Sequence, residues 1–252
     1  MGSPRRRSRI GFIGAGVVGK SIAIALSRQG YPVVAVASRS YSSAQELAHI
    51  INGVVAYQTP EEAASASDVV FITSPDDAIG EVASTVPWTN TQAVAHCSGA
   101  SSVDVLDPAS VLGASVGTFH PMNAFSSVEN GVRSLPGTTF GIEGDDEMKA
   151  YLKQMATDIG GRPIFLRRED KVLYHLSGVM MGGLLSAEAA VAAQLWEQLG
   201  MTRDDGVKAL APMIRQVAAN LETSGVPGAL AGPYVRGDLG TIRKHLQTLR
   251  AR

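Results

Sequence analysis

Three short stretches carry side chains able to move protons or hold a small anion. His96-Cys97-Ser98-Gly99 ends one apolar run, His120-Pro121-Met122-Asn123 ends another, and Lys171 stands four residues before His175. That last spacing puts both residues on one face of a helix. Hydride transfer to a carbonyl or imine needs a proton donor beside the developing anion and groups that hold the substrate. His120, Lys171 and His175 are the candidate proton donors, Ser98 the candidate to position a substrate, and Gly99 and Asn123 the candidates to line its site. His120 follows a strand on a loop, where function concentrates. His96 reads instead as a core histidine. Cys97 is the only cysteine, with no metal-ligand spacing around it, and reads as a small buried residue. No metal is expected.

A second group of residues suits a dinucleotide. Gly14-Ala15-Gly16-Val17-Val18-Gly19 follows a predicted strand and opens a predicted helix. In that context Gly14 makes the tight turn, Gly16 lets backbone approach a pyrophosphate, and Gly19 lets helix pack on strand. The helix N-terminus adds free N–H groups and partial positive charge. About 20 residues on, where an acid would hold the ribose of NAD, the chain has Ser38-Arg39-Ser40. An arginine flanked by hydroxyls suits the 2′-phosphate of NADP(H). Ser74-Pro75-Asp76 lies at the carboxyl end of another strand, on the ligand edge of such a sheet. Asp76 is also placed to cap the next helix.

These residues need a scaffold, and the hydropathy pattern supplies one. Strands are predicted at Arg9 to Ile13, Val33 to Ala37, Val54 to Tyr57, Asp68 to Thr73, Gln92 to His96, Ala114 to Thr118, Gly137 to Glu143 and Pro163 to Leu166. Helices are predicted at Val17 to Gln29, Ser42 to Ile50, Asp76 to Val86 and Asp145 to Ile159. This alternation predicts an α/β, doubly wound parallel sheet of Rossmann type over residues 9–168. A smaller all-helical domain follows over 169–252, with helices at Asp170 to Leu199, Asp204 to Thr223 and Asp238 to Leu249. The segment from Ser224 to Gly237, rich in Gly and Pro, reads as a loop. Residues 1–8 read as a disordered basic tail. Gly178, Gly182 and Gly183 lie inside the long predicted helix, each at a cost of about 1 kcal/mol against Ala, so another backbone is expected close by. A helix of the same chain, a second subunit and the cofactor all remain open as that neighbour.

Composition narrows the function classes. The 252 residues carry 22 Lys+Arg against 23 Asp+Glu, a net charge of -1, which argues against a broad nucleic-acid surface. With 45% hydrophobic residues a sizeable core is expected. A single cysteine excludes an intrachain disulfide. The basic start before Ile10 resembles a leader only superficially, because Gly14, Gly16 and Lys20 break the apolar run. No unbroken apolar run reaches about 18 residues, so no membrane span is expected and a cytoplasmic location is.

Several of these motifs carry a family resemblance. The glycine turn, Ser38-Arg39-Ser40 and the helical tail opened by Lys171 resemble the β-hydroxyacid and 6-phosphogluconate dehydrogenase superfamily. Ser98-Gly99 is similar to its Ser-Gly substrate motif. Lys171 to His175 is similar to its Lys-x-x-x-Asn helix, with His175 in place of Asn. His120-Pro121-Met122 resembles the His-Pro-Met stretch of prephenate dehydrogenases, where that histidine is catalytic. Tyr174-His175, the run from Gly232 to Asp238 and Lys244-His245-Leu246 resemble proteins that join a Rossmann-like domain to the domain of unknown function 2520. Those proteins usually have Ser-Asn where this chain has Gly182-Gly183.

The resemblance implies an NADPH-dependent reduction of a small carboxylate-bearing 2-oxo acid, ketopantoate-like, or of an imine. The alternatives are a prephenate-dehydrogenase-like oxidation and an NADP(H)-binding sensor without turnover. Arg236 is a candidate to hold a substrate carboxylate; its other reading is a partner for Asp238 at the cap of the last helix. A homodimer through the helical domain is expected, with no nucleic-acid or membrane partner.

Overall fold

The computed structural model describes residues 8–251. The expected basic tail therefore lies, apart from Ser8, outside the described residues. The chain divides into two compact units, Met1–Gly182 and Gly183–Arg252. The last strand ends at Phe165, near the boundary expected at residue 168, but the first turns of the following helix belong to the first unit.

The first unit holds eight strands: β1 (Ile10–Ile13), β2 (Val33–Ala37), β3 (Val55–Tyr57), β4 (Val69–Ile72), β5 (Ala93–His96), β6 (Ser115–Pro121), β7 (Thr139–Gly144) and β8 (Arg162–Phe165). Its helices are α1 (Val17–Arg28), α2 (Tyr41–Ile50), α3 (Pro60–Ser65), α4 (Asp76–Thr85), α5 (Asp107–Val111), α6 (Val128–Ser134), α7 (Asp146–Asp158) and α8 (Lys171–Val179). The strands form one sheet in the order β3-β2-β1-β4-β5-β6-β7-β8. Helices alternate with β1 to β6, and those strands run parallel.

The doubly wound parallel sheet is as expected, with strand direction reversed once, at its far side. β7 runs antiparallel to β6, pairing Phe140 with Pro121 and Ile142 with Phe119. After Pro121 the chain turns at the same edge of the sheet, around α6, and re-enters as β7. A parallel return would need a crossover to the opposite edge. β8 pairs parallel with β7.

Register brings strand ends level. Ile13 pairs with Ile72, Ile72 with His96, and His96 with Thr118. The carboxyl ends of β1, β4, β5 and β6 therefore meet at one edge, where loops are placed by rigid strands. Below that edge a row of rings fixes the sheet. Phe12 stacks on Phe71 with centroids 5.3 Å apart, Phe71 meets Phe119 at 5.6 Å, and Phe119 stacks on Phe140 at 4.5 Å. Ala95 stands in register between Phe71 and Gly117. Its small side chain lets the rings of β4 and β6 touch over β5. Each buried aromatic contributes roughly 1.5–3 kcal/mol through burial, so strand register at the edge is strongly specified.

The second unit is helical: α9 (Leu185–Glu197), α10 (Arg203–Gly228) and α11 (Leu239–Arg250). Thr202 and Asp205 form a capping box at the start of α10. Gly225 and Val226 leave helical geometry before a last turn to Gly228, so the expected loop begins one residue after Ser224. Between α8 and α9 the helical run continues through a π turn at Met180–Leu184, which contains Gly182-Gly183. Of the expected backbone neighbours, one from the same chain is not found at Gly178, where a Cβ would meet the Met122 side chain at 3.4 Å, nor at Gly182, where a Cβ would meet nothing within 4 Å. Among the described residues one run, Arg168–Glu197, is long and apolar enough to cross a membrane by composition. Its most apolar window has mean hydropathy 1.5 and is 6% buried. Ser177, Ser186 and Glu188 interrupt it, which is why no unbroken run signals it.

Candidate active site

The glycine turn bridges β1 and α1 as its spacing requires. Gly14 sits at φ 111°, and a Cβ there would lie 2.5 Å from the Thr73 backbone carbon. Thr73 Oγ1 donates to the Gly14 carbonyl at 2.6 Å, tying the turn to the end of β4. A Cβ on Gly19 would strike Thr73 Oγ1 at 2.4 Å. Gly16 is different: a Cβ there meets nothing within 4 Å. It caps α1 without a side-chain hydrogen bond, and the first turn holds no acid. The α1 amides therefore face open space with their partial positive charge uncompensated.

Two neighbouring features also suit a dinucleotide. Arg39 is exposed after β2, between Ser38 and Ser40, and Ser40 caps α2, whose first turn likewise carries no acid. Ser74 Oγ is buried with no hydrogen-bond partner among the described residues, beside the amide that a Cβ on Gly14 would touch. The expected capping role of Asp76 is not what the structure has. Pro75 is the cap of α4, and Asp76 instead accepts a hydrogen bond from Ser98 Oγ at 2.7 Å.

Ser98 is fully committed. Its hydroxyl also accepts from the amides of Ala100 and Ser101 at 3.2 and 3.0 Å. A hydroxyl has one proton and two acceptor sites, so none remains for a substrate. Ser98 shapes the turn after β5, while its amide donates to His96 Nδ1 at 3.1 Å. His96 Nε2 faces the Ser102 carbonyl at 3.0 Å. Burial lowers the His96 pKa to about 4. His96 is thus the satisfied core histidine that the sequence suggests. Burial likewise pushes the Cys97 thiol up to about 12, leaving it unreactive.

Two imidazoles converge above Gly99. An ideal Cβ on Gly99 would lie 2.7 Å from His120 Nε2, 2.8 Å from His175 Nε2 and 2.3 Å from His175 Cδ2. The rings are edge-on, with centroids 5.8 Å apart. Both Nε2 atoms thus lie side by side against the Gly99 backbone, which only a residue without a side chain permits. His120 comes from the end of β6 and His175 from α8. On its other side His120 Nδ1 lies 3.1 Å from the Tyr174 hydroxyl. Tyr174 reaches it across Gly141, where a Cβ would be 2.9 Å from the ring. Burial, then the charge of Lys171, lowers the His120 pKa to about 3, and burial raises Tyr174 to about 12. His120 is therefore neutral, and Tyr174 protonated, near pH 7.

Lys171 shares the helix face of His175 as expected, but it does not reach the open side. It is 0% exposed, and Nζ lies 3.2 Å from Glu143 Oε1 and 3.2 Å from Thr118 Oγ1. Burial drives its pKa down while Glu143 opposes the shift. Glu143, 2% exposed, also accepts from the Val103 amide at 3.2 Å. This pair joins β7, β6 and α8 under the histidines. As a proton donor Lys171 is closed off; it anchors the helix that presents Tyr174 and His175.

Asn123 lies just beyond β6, but its amide donates to Ser134 Oγ at 2.7 Å and closes the loop before α6. Arg236 belongs to the second unit. There Asp238 is held by Thr241, with the amide at 3.0 Å and the hydroxyl at 2.7 Å, so Asp238 does cap α11. Glu143, Thr118, Gly141 and the role of Tyr174 escape the sequence reading. An acid inside the otherwise apolar β7 is the signal that could have exposed Glu143, since such a charge needs a partner. A surface hollow of about 210 Å³ lies at the amino-terminal edge of the sheet, lined by residues that include Arg9, Ser67, Asp68 and Gln92. The Arg9–Asp68 ion pair occupies it, and no histidine reaches it.

The comparisons with known proteins agree with this architecture. A candidate NADP oxidoreductase from Bacteroides fragilis is 25% identical, with a TM-score of 0.78 over 97% of this chain and 92% of that one. A reductive aminase from Aspergillus terreus in complex with NADPH is 19% identical, TM-score 0.68, over 86% and 75%. A pyrroline-5-carboxylate reductase from Coxiella burnetii is 20% identical, TM-score 0.65, over 97% and 90%. The last two share the fold. No curated protein matches the chain. A Rossmann-like domain model matches residues 2–121, and the model described as Domain of unknown function (DUF2520) matches 138–252. The chain therefore belongs to the proteins that join a Rossmann-like domain to a DUF2520 domain.

Proposed function

We propose that this chain is an NADP(H)-dependent oxidoreductase that reduces a small carboxylate-bearing 2-oxo acid or an imine. The observation that carries the reading is the shared edge. The open α1 terminus and the paired imidazoles lie at the carboxyl ends of neighbouring strands, linked through Gly14–Thr73 and Asp76–Ser98. The amides from Gly14 to Gly19 would hold the pyrophosphate and Arg39, with Ser38 and Ser40, the 2′-phosphate. The Ser74 hydroxyl would gain a partner. NADPH supplies the hydride when bound. The 25%-identical Bacteroides fragilis protein, described as a candidate NADP oxidoreductase, supports the cofactor class.

Proton delivery falls to His175. His120 is held neutral, Lys171 is sealed by Glu143, and the Ser98 hydroxyl is spent. His175 Nε2 lies beside His120 Nε2 at Gly99, and both rings are only partly buried. His120 would accept a hydrogen bond and orient the reacting group. The test is consumption of NADPH with a panel of 2-oxo acids and cyclic imines. Turnover that is lost in His175→Ala supports the reading. Tight NADPH binding without consumption across the panel overturns it in favour of a sensor, which the Gly182-Gly183 departure would then explain.

The chain is further read as a homodimer. Within the helical unit, Leu184, Val191 and Leu195 lie exposed at helical spacing from the start of α9 onward, an apolar stripe of the kind that marks an interface. A second copy of this surface is the occupant. Light scattering should give twice the chain mass; recovery of the protein only in a membrane fraction would refute it.

A further inference from the structure

We propose that Tyr174 is a positioning residue that fixes the tautomer of His120, keeping hydrogen on Nδ1 and leaving a bare Nε2 lone pair beside His175 at Gly99. The inference rests on the proposed reductase reading only for its catalytic consequence.

Counting donors and acceptors places the proton. The Tyr174 oxygen lies 3.1 Å from His120 Nδ1 and 3.3 Å from the His120 carbonyl oxygen. A carbonyl accepts only, so that contact takes the single tyrosine proton. The contact with Nδ1 then requires the imidazole to donate. With its one proton given to the carbonyl, the tyrosine oxygen is left as the acceptor toward Nδ1. The ring stays edge-on to His120, with centroids 5.5 Å apart. No hydrogen bond to Nε2 opposes this choice among the described residues; Nε2 lies at Gly99 beside the other imidazole.

The device depends on geometry that the sequence hides. Tyr174 can lie against β7 only because residue 141 has no Cβ. Lys171, three residues earlier on α8, anchors the helix through Glu143 and sets the depth of the tyrosine. At neutral pH His120 carries a single ring proton, so its position is a defined, measurable state. With that proton on Nδ1, His120 is an acceptor at the reacting atom, and the donor is the second imidazole.

The experiment uses full-length protein labelled with 15N in histidine and a two-dimensional 15N–1H spectrum at pH 7. The His120 signals are assigned by their loss in His120→Gln. The wild-type protein is expected to show a protonated Nδ1 and a bare Nε2. Tyr174→Phe should move the proton to Nε2 or give a mixture. Gly141→Ala, which pushes the ring aside without removing the hydroxyl, should do the same. If a variant misfolds, the wild-type spectrum alone decides: a protonated Nε2 overturns the proposal. An unchanged tautomer in both folded variants overturns it equally. No substrate is needed, so this outcome is independent of the reductase assay. With a substrate in hand, Tyr174→Phe should lower kcat by about 10²-fold, within the range of acid–base contributions, and leave KM nearly unchanged.

Discussion

Lys171 is the residue on which a catalytic and a structural role can be separated by measurement. Its ammonium and the Glu143 carboxylate are 0% and 2% exposed and 3.2 Å apart. Removing one partner of such a pair leaves an uncompensated buried charge, at a cost of about 3–5 kcal/mol. That is a large share of the roughly 5–15 kcal/mol that holds a domain folded. Lys171→Met and Glu143→Gln should each produce a loss of this size. The double variant removes both charges, and the side-chain amide introduced by Glu143→Gln keeps its carbonyl as acceptor for the Val103 amide while its NH2 can donate to Thr118 Oγ1, which the lysine no longer occupies. Its stability should exceed that expected from the two losses added together. The coupling should sit near the upper end of the about 0.5–3 kcal/mol seen for contacting residues.

The assay is urea unfolding followed by tryptophan fluorescence. The two tryptophans lie in different units, Trp88 in the first and Trp196 in the second. Trp88 is buried, with its indole N–H donating to the Ala83 carbonyl at 2.9 Å. In a Trp196→Phe background it reports the sheet-bearing unit alone. The structural reasoning is refuted if Lys171→Met changes stability by less than about 1 kcal/mol, or if the two single losses simply add. Such a result, with turnover abolished, would return Lys171 to the chemistry.

Four further outcomes follow from the same geometry. Gly16→Ala meets no atom within 4 Å, so stability should stay within about 0.5 kcal/mol of the parent while calorimetry shows weakened NADPH binding; unchanged affinity would refute the placement of the pyrophosphate. Arg39→Ala should weaken NADPH by roughly 10–100-fold, the worth of a charged hydrogen bond of about 1.5–3 kcal/mol, and leave NADH nearly unaffected in the same titration. Burial holds His96 and His120 at about 4 and about 3, so the unfolded chain binds protons first as pH falls below about 6.5. Stability should then drop by about 1.4 kcal/mol per pH unit for each imidazole between pH 6.5 and 4, read as urea midpoints at pH 7.5 and 5.5; a flat profile would refute the neutral histidines. Gly99→Ala places a Cβ 2.3 Å from His175 Cδ2, and the displaced rings should cost at least about 10²-fold in turnover, measured as NADPH consumption at saturating substrate.

Most of the frame is legible from periodicity because the parallel strands are buried on both faces. Ile10–Ile13, Val69–Ile72 and Ala93–His96 are buried at every position, and such strands read as unbroken apolar runs. The glycine turn is legible for a different reason: each glycine answers a local steric demand visible in its spacing. What escapes is long-range. The reversal of β7 depends on which edge of the sheet the chain leaves from, and no window of residues encodes that. α3 escapes although its signal is present, since Thr59-Pro60-Glu61-Glu62 spells a capping box with proline at the first helical turn. Apolar periodicity over so short a helix does not register that polar cue.

The chemistry divides along the same line. The histidines can be picked out by type, and Lys171 with His175 by helical spacing, but spacing says only that they share a face. Burial depth along that face decides their roles. Lys171, Tyr174 and His175 stand at successive neighbouring positions on α8 and meet three different layers of the first unit. The lysine reaches down to Glu143 and Thr118 between strands. The tyrosine rests on β7 at Gly141 and meets His120. The second histidine packs its edge against Gly99, beside His120 Nε2. A charge locked in place, a ring that orients and a ring that reacts are thereby stacked on one helix turn. The carboxylate that permits the first of these lies on a strand whose antiparallel direction the alternating pattern does not reveal. Without β7 reversed, Glu143 and Gly141 would not stand opposite Thr118 and His120, and the same helix would bury an unpaired ammonium. The departure from a parallel sheet is thus the structural condition for the site.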